Sequence, residues 1–73
     1  MSLNQHVVPD GDKWAVKGEG NEKYTNLYDT KREAVERATE IAKNKEAELI
    51  VHSQDGEIEY RNSYGNDPFP PKG

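Results

Sequence analysis

The chain has 73 residues, enough for one domain and near the lower limit at which a single core holds. Only 32% of it is hydrophobic, so burial must be efficient, or a second copy must add apolar surface as a homodimer. A formal charge of −4 disfavours nucleic acid and anionic lipid as partners, and the absence of cysteine removes disulfides, thiolate metal sites and thiol nucleophiles.

Residues 1–5 read as a flexible N-terminus with neither the basic start nor the apolar run of a secretory signal. Residues 6–64 read as a single α+β domain, and 65–73 as a proline-rich tail. His6-Val7-Val8-Pro9 predicts a short strand ended by proline, which cannot donate to a ladder. Asp10-Gly11-Asp12 predicts a turn, and Trp14 to Lys17 a second strand with Trp14 and Val16 on one face. The two together predict an antiparallel hairpin. Gly18-Glu19-Gly20-Asn21 reads as a glycine-rich turn. It is not a phosphate cradle, because no helix follows to aim backbone donors at an anion. Glu22 to Tyr28 reads as extended or irregular.

Thr30 followed by Glu33 predicts a capped helix beginning at residue 31. Ala34, Val35, Ala38, Ile41 and Ala42 recur at spacings of three and four, which makes one slim apolar stripe. Lys43 and Lys45 suit the negative end of the helix dipole. Glu48 to His52 predicts a strand with Leu49 and Val51 on one face and Ile50 and His52 on the other. Asp55-Gly56 predicts a hairpin turn, and Ile58 to Tyr64 the returning strand. The expected architecture is α+β, in the order β-β-α-β-β, an antiparallel sheet with one amphipathic helix packed on one face. A single helix leaves the other face wet or available for association.

These blocks carry a resemblance. His6-Val7-Val8-Pro9, Gly11 to Gly20 with its Trp14-Ala15-Val16-Lys17 strand, Thr30 to Ala34, Glu40 to Asn44, Glu48 to His52, Asp55 to Ile58 and the Tyr64-Gly65-Asn66-Asp67-Pro68 ending resemble a family of short bacterial proteins classed as a domain of unknown function. The resemblance runs from about His6 to Pro68. It departs at Ser53-Gln54, where relatives often carry glycine and a basic residue, which weakens any anion-binding reading of that turn. It implies a stand-alone cytoplasmic β-β-α-β-β domain with no assigned substrate, cofactor or catalytic residue.

The residue types point the same way. Only His6 and His52 could serve acid–base chemistry at neutral pH, and they are far apart in sequence, with His6 close to an end expected to fray. Two distant histidines without cysteine give no zinc spacing, and Asp10 and Asp12 belong to a loop too short for a calcium site. Neither serine in the strand region sits in a nucleophile elbow. The expectation is therefore a non-enzymatic chain with no catalytic residue, metal or cofactor, and no membrane span. Lys17, Ile50, His52, Arg61, Tyr64 and Phe69 are the residues expected to serve interaction with a protein partner or a second copy. The alternative is a weak nucleic-acid module using basic and aromatic residues on the open sheet face or helix flanks. Lys17 and Arg61 side by side, with no glutamate between them, would favour it.

Overall fold

A computed structural model of the chain describes residues 4–21 and 23–65. In chain order it contains β1 (Gln5–Asp10), β2 (Lys13–Gly18), β3 (Asn26–Tyr28), α1 (Lys31–Lys45), β4 (Glu48–His52) and β5 (Ile58–Ser63). The five strands form one sheet in the order β3-β2-β1-β4-β5. The α+β class and the single helix on one face are as expected.

Two features correct the expected topology. The sheet is mixed: β1 lies parallel to β4, with Gln5, His6 and Val7 opposite Leu49, Ile50 and Val51, while every other neighbour is antiparallel. The stretch read as extended or irregular also supplies a fifth strand, in which Leu27 pairs with Ala15 and Tyr28 with Trp14. The parallel pairing joins segments far apart in sequence, and the added strand has only three residues, too few for local alternation to announce.

Pro9 lies inside β1 rather than ending it, opposite Trp14. The Glu19 amide donates to the Asn4 carbonyl at 2.9 Å, which sets the phase of the β1–β2 ladder. Hydrogen-bonded and non-hydrogen-bonded pairs alternate, so Pro9 falls at a non-bonded pair and its nitrogen points away from β2. On that side the β4 pairing has already stopped at Val7, so the missing donor deprives no ladder. At the hairpin tip Gly11 takes φ 64°, a conformation open to glycine at little cost.

The helix begins as its sequence predicts. Thr30 has extended backbone, its hydroxyl oxygen accepts from the Glu33 amide at 3.2 Å, and its hydroxyl donates to the Glu33 carboxylate at 3.1 Å. Ala34, Ala38 and Ala42 are fully buried, and Val35 and Ile41 flank them. They meet Val7, Trp14, Val16, Leu49 and Val51 from the sheet. Alanines let the helix lie close over β1, β2 and β4, whereas β5 lies outside its cover and is exposed along its whole length. The Lys31 ammonium stands 5.1 Å from the centre of the Trp14 ring and also pairs with Glu59, which ties the helix to β5.

The helix ends at Glu46, a non-glycine residue in the left-handed region (φ 53°, ψ 49°). Its amide bonds back to the Ala42 and Lys43 carbonyls, and Ala47 then donates to Ala42 at 2.9 Å. These bonds close the helix and offset a conformation that costs a residue with Cβ roughly 1–2 kcal/mol.

Two outcomes follow from this packing. Ala38→Leu has no room to expand against Val7 and Val16 and is expected to lower stability by roughly 1–3 kcal/mol in urea denaturation. Thr30→Ala removes the cap and is expected to cost about 0.5–2 kcal/mol by the same measurement.

Candidate functional site

Strand parity divides the chemistry of the sheet. Odd positions of β1 and even positions of β2 lie on the helix side and, apart from the buried Gln5, are apolar, whereas their neighbours face away. On the outward face, register places Lys17, His6, Ile50 and Arg61 in one row across β2, β1, β4 and β5. A second row runs from Leu27 through Ala15 and Val8 to the paired His52 and Ile58. Ala15 and Ile50 are buried beneath the surrounding side chains, while Leu27 and Ile58, at opposite edges, remain 47% and 49% exposed.

At the centre of this face, at the β1–β4 seam, the two histidines meet. His6 Nδ1 lies 2.9 Å from His52 Nε2, with the ring centroids 5.1 Å apart and the planes inclined by 30°. His6 Nε2 lies 3.0 Å from a Glu19 carboxylate oxygen, and His52 Nδ1 lies 3.1 Å from the Gly56 carbonyl oxygen. The cluster borders a shallow hollow of about 250 Å³, lined by His6, Val8, Lys17, His52 and the Gly18–Gly20 turn. Among the described residues no group of three or more histidines, cysteines or carboxylates is placed to hold a metal ion.

The partners of His52 depend on the β4–β5 turn. Gly56 takes φ 91°, and its amide donates to the Ser53 carbonyl at 2.9 Å. The Asp55 carboxyl is held below the usual carboxylate range by the hydrogen bond from the Ser53 hydroxyl, then by the Glu57 amide. This turn aims the Gly56 carbonyl at the imidazole.

The interaction residues expected from sequence separate under this geometry. Lys17 and His52 border the hollow together, and Ile50 lies beneath the same face, buried. Arg61 is two strands from His6 and three from Lys17, and its guanidinium lies 3.5 Å from Glu48. Tyr64 is half-buried against the core cluster on the helix side, with the Lys43 ammonium 5.5 Å from its ring centre. Phe69 lies outside the described residues, as does the tail beyond Gly65. His6 and Glu19 are the functional candidates that local reading passed over. His6 was expected near a fraying end, but the Asn4 side chain accepts from the Glu48 amide at 2.9 Å and holds that end against β4.

Comparison with known proteins adds a family to this geometry. Residues 5–64 match the model of DUF2188, described as an uncharacterized protein conserved in bacteria. The chain belongs to the DUF2188 family. The matched stretch begins with β1 and ends at Tyr64, so the DUF2188 region takes in both histidines, Glu19 and the Gly56 turn. A relative from Bacillus subtilis (strain 168), the uncharacterized protein YdaT, is 42% identical over 66 residues, covering 90% of this chain and 44% of the relative. The chain thus spans less than half the length of that relative. No solved structure matches it.

The turn supporting His52 has a pH signature. The Asp55 carboxyl holds its proton more weakly in the folded chain than in the unfolded one, so its contribution is complete above the ordinary carboxylate range. It is lost as pH falls through the depressed folded value. Asp55→Asn is expected to be less stable than wild type near neutral pH, with the gap in urea midpoint narrowing on acidification. A gap that stays constant would contradict the hydrogen-bond assignment.

Proposed function

We propose that this DUF2188 domain is a non-enzymatic cytoplasmic protein-interaction module that associates through the outward face of its sheet, with a second copy of the chain as the first partner to test. The observation that carries the reading is one-sided cover. Five strands are roofed by one helix, and the uncovered face buries Ala15 and Ile50 under side chains while presenting Leu27 and Ile58 at its two margins. Exposed apolar side chains on an otherwise polar face give the mixed composition of interfaces that form and separate.

The two sheet edges are poorer surfaces for association. β3 has three residues, and the β4–β5 ladder shifts register between Val51 and His52, which twists the outer strand. Short edges and bulges are the usual devices that discourage strand addition. The nucleic-acid reading loses its favourable condition, because β1 and β4 separate Lys17 from Arg61 and a glutamate accompanies the arginine. Lys13 is likewise matched, bonded to Asp29 at 2.6 Å; that bond raises the lysine's pKa and lowers the aspartate's, so both remain charged. Among the described residues no helix is long and apolar enough to cross a membrane.

Sedimentation of the full chain across a concentration series tests the proposal. Self-association is expected to weaken at least tenfold in Ile58→Lys and in Leu27→Lys, about 1.4 kcal/mol of interaction. Both positions are exposed, so the denaturation midpoint of each variant is expected to stay within about 0.5 kcal/mol of wild type. A chain that remains monomeric at high micromolar concentration overturns association with itself.

A further inference from the structure

The outward face of the sheet is banded. Its middle row, from Leu27 through Ala15 and Val8 to His52 and Ile58, crosses all five strands and is apolar apart from the one imidazole. The next row toward the start of β1 has Lys17 and Arg61 at its two ends, with His6 and Ile50 between them and no carboxylate. On the other side of the middle row lie the β1–β2 and β4–β5 turns, which share one end of the sheet because β1 and β4 run parallel. That end is acidic. Asp10 and Asp12 stand at the first turn, Asp55 and Glu57 at the second, and Lys13 beside them is bonded to Asp29. Among the described residues neither Lys17 nor any of those four acids has an ion-pair partner.

Resting on the reading of this face as the surface of association, we infer that a second copy lies on it in reversed orientation, related by a two-fold axis running along the middle row. Such an axis turns each face onto the other, stacks the apolar row on itself and exchanges what lies on its two sides. Arg61 then comes to the β4–β5 turn of the second copy, beside Asp55 and Glu57. Lys17 comes to its β1–β2 turn, beside Asp10 and Asp12. Each contact occurs twice, as two-fold pairing requires. The strands of the two sheets stay aligned but opposite in sense, which is one of the two ways sheets stack.

Charge decides between this axis and its rival. A two-fold along β1 would also cover the apolar margins, with Leu27 over Ile58, but it lays the acidic end of one sheet on the acidic end of the other. Like charges opposed across an interface disfavour a pairing, whereas complementary patches fix its register. The axis along the middle row replaces that repulsion with attraction on both sides. Glu19 and Glu48 stand beyond the Lys17–Arg61 row, bonded to His6 and Arg61. Glu48 reaches Arg61 only at 3.5 Å, and that side chain remains 59% exposed, open to a second carboxylate.

Sedimentation of mixed charge variants tests the arrangement. Arg61→Glu and Glu57→Lys are each expected to weaken self-association about tenfold, because each sets like charges together twice. Mixed in equal amounts, the two are expected to pair with each other at close to wild-type strength, since each restores the charge that the other's contact lacks. Both positions are exposed, and the denaturation midpoint of each variant reports whether the fold is kept. Wild-type association needs no variant: it is expected to weaken between about 0.1 M and about 1 M salt, where the screening length falls from about 10 Å to about 3 Å. A wild-type chain that stays monomeric removes the face and this arrangement with it. A wild-type dimer that Ile58→Lys disrupts, but that salt leaves unchanged or strengthens, keeps the face and overturns the two-fold. So does a mixture of folded variants no tighter than its components.

Discussion

Everything in this fold depends on one short parallel seam. The sheet consists of two antiparallel units, β3-β2-β1 and β4-β5, and among the described residues their ladders join only where Gln5 to Val7 pair with Leu49 to Val51. Three residue pairs are few for joining two halves of a domain, and parallel pairing is slightly weaker per residue than antiparallel. The helix supplies the remaining adhesion by lying across both units, with its alanines over Val7 and Val16 on one and Leu49 and Val51 on the other. Asn4 adds a side-chain bond to the Glu48 amide at one end of the seam, and the histidine contact adds another on the opposite face. Seam, helix and polar clasps therefore act on the same junction.

The choice of alanine on the helix explains much of the surface that remains. A small-residue stripe brings the helix axis close to the sheet and seals its middle three strands, but a close helix is also a narrow roof. β5 stands outside it, held by ladder bonds, by the Lys31–Glu59 pair and by the Tyr64 amide donating to Ala47 at 3.0 Å. Lys31 links three parts of the structure at once, since its ammonium on the helix stands over the Trp14 ring of β2 and reaches Glu59 on β5. A wider roof built on leucine would stand farther off and would lose that reach.

Local physics made the helix and both hairpins legible. A cap, a stripe of period 3.6 and two turn pairs each act within a few residues, so Thr30, Ala34 to Ala42, Gly11 and Gly56 announce themselves. Trp14 was equally legible as core because it alternates with Val16. The parallel seam was not, because nothing in His6 to Pro9 states that its partner lies more than forty residues ahead. The candidate site vanished with it: the β1–β2 hairpin brings Glu19 to His6, but only the seam adds His52. Pro9 misled for a related reason, since its missing donor matters only if a strand stands beside it. The closure at Glu46 was not legible, because a left-handed helix end usually announces itself with glycine.

Parity links the dry face to the titratable one. In a strand, the register that sends Val7 inward sends His6 outward, and the same step separates Val16 from Lys17 and Val51 from His52. A slip of one residue at the seam would turn Val7 to water and drive the His6 imidazole under the helix, where its bond to Glu19 is lost. On β2 the same slip would bury Lys17, a charge without compensation beneath an alanine stripe. The polar residues on the outward face thus specify the register of the core from the other side of the sheet, whatever partner that face receives. In a chain with so little apolar mass, this exclusion of alternative pairings does what a larger core would do by attraction alone.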